Sequence, residues 1–135
     1  MRTPAEPSAE TFTVLAHVSE GADDAEESLS GGSVSLGSSA LELGQNGSKD
    51  QVVGLRFQPV AVPQGVRVLG AWVQLVADRD SSDPASLVVE GEAADHAMPF
   101  ARGSEELTGR SRTRAATPWA PPPWTRNNDS GPDQR

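Results

Sequence analysis

A chain of 135 residues with 36% hydrophobic and 4% aromatic content and a formal net charge of −8 has room for one domain with a modest core. That acidity removes the electrostatic basis for nucleic-acid binding, which needs a basic face to release counterions. The lack of cysteine excludes a disulfide frame and a thiolate metal site, and no window holds the roughly 20 apolar residues of a membrane-spanning helix.

Residues 1–10, MRTPAEPSAE, offer nothing to bury and carry no apolar run of the signal-peptide kind, so they read as a disordered lead-in. In residues 11–18, Phe12, Val14 and Ala16 alternate with Thr11, Thr13 and Leu15, which predicts a first strand. Residues 19–33 are acidic and then Gly/Ser-rich, the composition of a loop. Val34 and Leu36, then Leu41 and Leu43, mark two short strands. GQNGSKD at 44–50 is a turn, with Asn46-Gly47 a favoured hairpin pair.

The densest apolar alternation lies in residues 52–77. Val53, Leu55 and Phe57 occupy one face of a strand, and Arg56 and Gln58 fall on the other. Pro63-Gln64-Gly65 suits a turn, since proline presets φ and glycine tolerates positive φ. Leu69, Ala71, Val73, Leu75 and Ala77 then share a face against Gly70, Trp72, Gln74 and Val76, predicting a second strand paired with the first. Residues 86–92 predict another strand, with Met98 and Phe100 as buried anchors beyond it. Residues 110–117 suit an arginine-bearing edge piece. TPWAPPPWT from Thr117 suits a polyproline-like surface run, and residues 126–135 read as a loop or a cut end. The resulting expectation is an all-β chain, an antiparallel β-sandwich or jelly roll over residues 11–125.

The succession DDAEESLSGGSVSLGSSALELG, QVVGLRFQPVAVPQG, AWVQLVADRDSS, SLVVEGEAADHAMPF and RSRTRAATPWAPPPW resembles a recurring module of bacterial and algal secreted multidomain proteins, similar in outline to jelly-roll carbohydrate-binding domains. The resemblance runs over roughly residues 20–135. Its most specific parts are VGLRF, VPQG, GEAAD and the pair of tryptophans around the proline run. It implies an extracellular β-sandwich beside other domains, with no set ligand or catalytic residues. The module continues with further strands past the DQR region, which predicts a sandwich incomplete at its C-terminal side.

Two residue groups stand out as candidate sites. Asp23, Asp24, Glu26 and Glu27 offer carboxylate oxygens of the kind calcium gathers, about six to eight at a time; a solvated loop is the ordinary alternative. Sugars stack on exposed aromatic rings, and Trp119 and Trp124 are stiffened by the prolines between them, with Trp72 the third tryptophan. Covering an apolar face is the ordinary role for such rings. His17 and His96 stand without a nucleophile motif or an H-E-x-x-H pair. Glu90 and Glu92 share a strand face about 7 Å apart, a spacing that suits either a pair of glycosidase carboxylates or an outward-facing acidic strand. The function expected is a non-catalytic extracellular or cell-surface binding module with a polysaccharide or cell-surface partner. The alternatives are a structural spacer or assembly domain of a larger surface protein, and a fragment of a polysaccharide-active enzyme.

Overall fold

The strand around which the fold is built lies in the acidic run. The computed structural model describes residues 10–135, so the lead-in assigned to residues 1–10 falls almost wholly outside the described residues. Residues 24–28, expected as loop, form β1 (Asp24–Ser28) inside a four-stranded sheet of order β2-β1-β4-β3. Its other members are β2 (Val34–Leu36), β3 (Gln45–Asn46) and β4 (Lys49–Leu55). Every pairing is antiparallel.

Register fixes which residues share a face, because directly opposed side chains point the same way. Ala25 opposes Leu36 and Gly54, and Glu27 opposes Val34 and Val52; these make the core face. Glu26 opposes Ser35 and Val53, and Ser28 opposes Gln51, on the other face. Ala25, Phe100 and Leu107 are the buried apolar centre, with Val34, Leu36 and Val52 packed on it.

The face of β4 is therefore one residue out of phase with the apolar alternation. The alternation points Val53 and Leu55 toward the core, yet Val52, Gly54 and Arg56 turn that way. Gly54 explains the choice: a Cβ there would lie 2.6 Å from Leu107 Cδ2 and 2.7 Å from Phe100 Cζ, so the ring fills the space that a side chain would need. Arg56 follows inward because Asp23 receives its Nη1 at 2.5 Å, with Arg56 8% and Asp23 1% exposed. A buried charge is tolerated when it is paired in this way.

The hairpin expected at 44–50 is present, but Asn46 lies in β3 opposite Lys49, so Gly47 and Ser48, and not the expected Asn46-Gly47, are the two turn residues. Positive φ (61°) at Gly47 and not at Ser48 is the pattern of a type II′ turn. The strand expected over 86–92 is β5 (Leu87–Glu92), and the edge piece is β6 (Arg112–Trp119). They form a two-stranded ribbon from Leu87 opposite Trp119 to Glu92 opposite Arg112. β6 takes in Pro118, part of the expected polyproline run, which an edge strand accommodates because one side of its ladder is open. A cleft of about 130 Å³ separates this ribbon from β4, bounded by Gly54, Glu92, Phe100, Leu107 and Arg110. Arg110 spans it, reaching Glu92 at 2.9 Å and Glu106 at 2.5 Å with its guanidinium carbon 4.6 Å above the Phe100 ring. The hydrogen bond from Arg110 holds the Glu106 carboxyl below the usual glutamate range. Both sheets are small and open.

Three expected strands are not formed. Residues 11–18 make no ladder, with Phe12 56% and Leu15 75% exposed. Leu41 and Leu43 are half-buried in an irregular segment. Residues 69–77 do not pair with β4; the backbone bonds of Leu75 and Ala77 go elsewhere. The chain turns at Gln64 and Gly65 (φ 84°) as expected, then meets the C-terminal segment. Leu75 N donates to Gln134 O at 3.0 Å, Ala77 N to Asp129 O at 2.9 Å, and Asn128 N to Ala77 O at 2.7 Å. Residues 126–135, expected as a loose end, are thus docked, and Gln134 is 2% exposed. Of the two apolar anchors, Phe100 is buried and Met98 is not.

Candidate functional site: a polar groove on the four-stranded sheet

The face of the sheet turned away from Phe100 opens into a groove of about 510 Å³ whose lining is almost wholly polar. Glu26 stands at its floor, only 7% exposed, because β1 carries it between β2 and β4. Its Oε1 accepts from Glu42 N at 2.8 Å and from Gln51 Nε2 at 3.1 Å. Gln51 also donates to Glu42 O, so one amide ties the 40–44 segment to the sheet. Asn46, Lys49 and four serines complete the walls.

Glu26 and Glu42 are a carboxyl pair. The hydrogen bond to Glu26 holds the Glu42 carboxyl above the usual glutamate range, burial and the Glu26 charge add to the effect, and Arg79 opposes it. Two neighbouring carboxylates resist ionising together. The groove accordingly offers donors and acceptors side by side: a carboxyl pair, two side-chain amides, an ammonium and hydroxyls.

The residues expected as calcium ligands do not converge. Asp23 turns to the core side, bonded to Arg56 and to Gln58 Nε2 at 3.0 Å. Glu26 faces the groove, and Asp24 shares its side of β1 one pleat away. Glu27, from the same run, accepts from Leu107 N at 2.5 Å, Thr108 N at 3.2 Å and Thr108 Oγ1. The run therefore spends most of its oxygens on protein donors. Among the described residues, no group of three or more His, Asp or Glu is arranged to hold a metal ion.

The tryptophans are also dispersed. Trp119 ends β6, half-buried. Trp124 bridges Ser81 through two backbone bonds of 2.7 and 2.8 Å and donates its Nε1 to Asp133 O at 3.2 Å. Trp72 alone keeps an open ring, 59% exposed, with the Arg135 guanidinium carbon 5.3 Å from its centre. None of the three lines the groove. Glu90 and Glu92 are each held by an arginine, Arg112 at 2.6 Å and Arg110 at 2.9 Å, and the pairing of β5 with β6 changes register between them.

Glu42 and Gln51 are the site residues that sequence reasoning missed. A signal for Gln51 is present in the hairpin, which fixes where β4 begins. Glu42 sits in an irregular segment, and only the fold brings it to Glu26. No family model, curated protein or solved structure matches the chain.

Proposed function

We propose that this protein is a non-catalytic, extracellular accessory module of the β-sandwich kind that holds a neutral polysaccharide in the groove over Glu26, Glu42 and Gln51. The observation that carries the reading is the groove itself: an open trough with donors and acceptors interleaved along its floor and walls. Such planar, two-way hydrogen-bonding groups suit vicinal hydroxyls, and the net charge of −8 favours a ligand without anionic groups. The β5–β6 ribbon, facing β4 across the cleft, corresponds to the second layer of a sandwich in this reading. The extracellular setting rests on the resemblance to modules of secreted proteins.

The test is retention on a panel of neutral and acidic polysaccharides, by affinity electrophoresis, for the wild-type chain and for Gln51→Ala, Glu42→Ala and Asn46→Ala. Loss of a buried polar contact of this kind weakens binding roughly tenfold or more. Asn46 lies on the exposed hairpin, so its removal leaves the sheet intact. No retention of any neutral polymer, or equal retention by all three variants, refutes the reading. A loss in Trp72→Ala alone would move the site to the exposed ring.

A further inference from the structure

The chain has three asparagines, and only Asn46 is followed by glycine; Asn127 precedes Asn128, and Asn128 precedes Asp129. The side-chain carbonyl carbon of an asparagine lies within reach of the next residue's backbone nitrogen, and the two can close a five-membered ring. Closure requires that nitrogen to be unspent, and it requires room for the ring.

Both conditions hold at the hairpin. Gly47 and Ser48 form the two-residue loop, so Gly47 N lies outside the β3–β4 ladder, and it donates to no backbone acceptor among the described residues. A Cβ on Gly47 would meet nothing within 4 Å, so the ring closes into open space. Asn46, Gly47 and Ser48 are all exposed, which admits base and water. The Asn46 amide is held only by a long bond among the described residues, Nδ2 to Glu42 Oε2 at 3.5 Å. β3 has two residues, so its end opens without the rest of the sheet. The other two asparagines differ. Attack on Asn127 needs Asn128 N, which is spent on Ala77 O at 2.7 Å. Attack on Asn128 needs Asp129 N, which is flanked by a side chain that itself accepts from Ser130 N at 3.0 Å.

We propose that Asn46 is a self-modification site, deamidated by its own backbone. Gly47 N gives its proton to solvent base and attacks Asn46 Cγ; the Cγ–Nδ2 bond breaks, and ammonia leaves with a proton taken from solvent. Water then opens the succinimide. Cleavage between Gly47 N and Cγ leaves aspartate. Cleavage between Gly47 N and the Asn46 main-chain carbonyl carbon leaves isoaspartate, with the main chain rerouted through Cβ and Cγ. Water is the sole co-reactant, and nothing is oxidised or reduced. Either product exchanges an amide on the groove wall for a carboxylate beside Glu42. A further negative charge there disfavours ionisation of the Glu26–Glu42 pair still more. Isoaspartate also lengthens the backbone of β3 and breaks the match of Asn46 with Lys49 that the two-residue loop sets.

The experiment incubates the full chain in mildly alkaline buffer, with mildly acidic buffer as the reference, because the attacking nitrogen must lose its proton. Peptide mapping by mass and enzymatic methylation of isoaspartate follow the conversion. The mass gain of an amide becoming an acid is expected at Asn46 about tenfold sooner or more than at Asn127 or Asn128, a ratio of the size that one broken hydrogen bond sets. Its rate is expected to stay flat in urea below the unfolding transition, because β3 opens locally. Asn46→Gln keeps an amide but cannot close the five-membered ring, and is expected to keep its mass. An unchanged wild-type mass, first conversion at Asn127 or Asn128, a rate that tracks the unfolded fraction in urea, or equal conversion of Asn46→Gln each overturns the proposal. Retention on the neutral polymer that binds the fresh chain is expected to fall about tenfold in Asn46→Asp, and equal retention overturns the effect on the groove. That arm rests on the polysaccharide reading: a fresh chain that binds no polymer fails that reading, while the mass result still decides the modification.

Discussion

Replacing Glu27 with glutamine tests the claim that the acidic run is a core strand. Glu27 is 1% exposed, and its carboxylate accepts from Leu107 N, Thr108 N and Thr108 Oγ1. An amide of the same shape can keep its oxygen on the two backbone N–H groups and turn its NH₂ to Thr108 Oγ1, which accepts as well as donates. Hydrogen bonds to a charged group contribute about 1.5–3 kcal/mol each and neutral ones about 0.5–1.5 kcal/mol. With all three bonds made neutral, Glu27→Gln is expected to lower stability by about 1–3 kcal/mol. Against a total of about 5–15 kcal/mol that is a large fraction. The assay is urea unfolding followed by tryptophan fluorescence, comparing midpoints at constant slope. Asp24→Asn is the control, because Asp24 lies on the groove face of the same strand, and a change within about 0.5 kcal/mol is expected there. If Glu27→Gln is as mild as Asp24→Asn, the run is not the buried strand described.

Gly54→Ala is expected to destabilise the chain by about 1–3 kcal/mol in the same assay, since the new methyl would overlap Leu107 and Phe100. A neutral result would show that Phe100 does not lie on β4. The Glu26–Glu42 pair predicts a pH effect with a definite sign. The folded chain raises the Glu42 pKa, so the stability this contributes is fully present below the ordinary glutamate value and is lost as pH rises through the folded value. Glu42→Gln does not titrate, so thermal midpoints measured from the ordinary glutamate value upward should favour the variant increasingly as pH rises. A difference that does not change with pH would refute the raised Glu42 value. Glu106, held low by Arg110, acts in the opposite sense in both proteins and cancels in the comparison.

What is legible in the sequence is what local chemistry decides. The Gly47 turn, β2, β5 and most of β6 follow from alternation and turn residues, and the all-β, antiparallel character follows from them. What is not legible depends on distant partners. DAEES shows no apolar alternation, and Glu27 is buried only because the amides of Leu107 and Thr108 arrive from 80 residues away. The face of β4 defeats the pattern because apolar residues normally mark the core side, whereas here the glycine marks it, by leaving room for Phe100. Residues 69–77 have the pattern of a strand, but their backbone bonds at Leu75 and Ala77 go to the C-terminal segment and not to β4. Alternation identifies a segment able to pair; it does not say with which partner.

The same parity that hides the core strand also builds the groove. Along β1, odd positions Ala25 and Glu27 secure Phe100 and the Leu107–Thr108 backbone, while Glu26 between them turns to the opposite face. A chain with so few large apolar residues thus anchors its sheet with charge-assisted bonds to loop amides. Their net worth is modest, because the carboxylate must first be desolvated, but they fix β1 in one register, since a slip of one residue would exchange Glu26 with Glu27. Placement of the carboxyl pair in the groove is therefore a consequence of core-side bonding. A core-side change such as Glu27→Gln should weaken ligand retention only through the loss of folded protein, and saturating ligand should recover it. A groove-side change such as Asn46→Ala should weaken retention at unchanged folded fraction. If the two classes of variant cannot be separated by measuring binding and unfolding on the same samples, the groove is not the binding site.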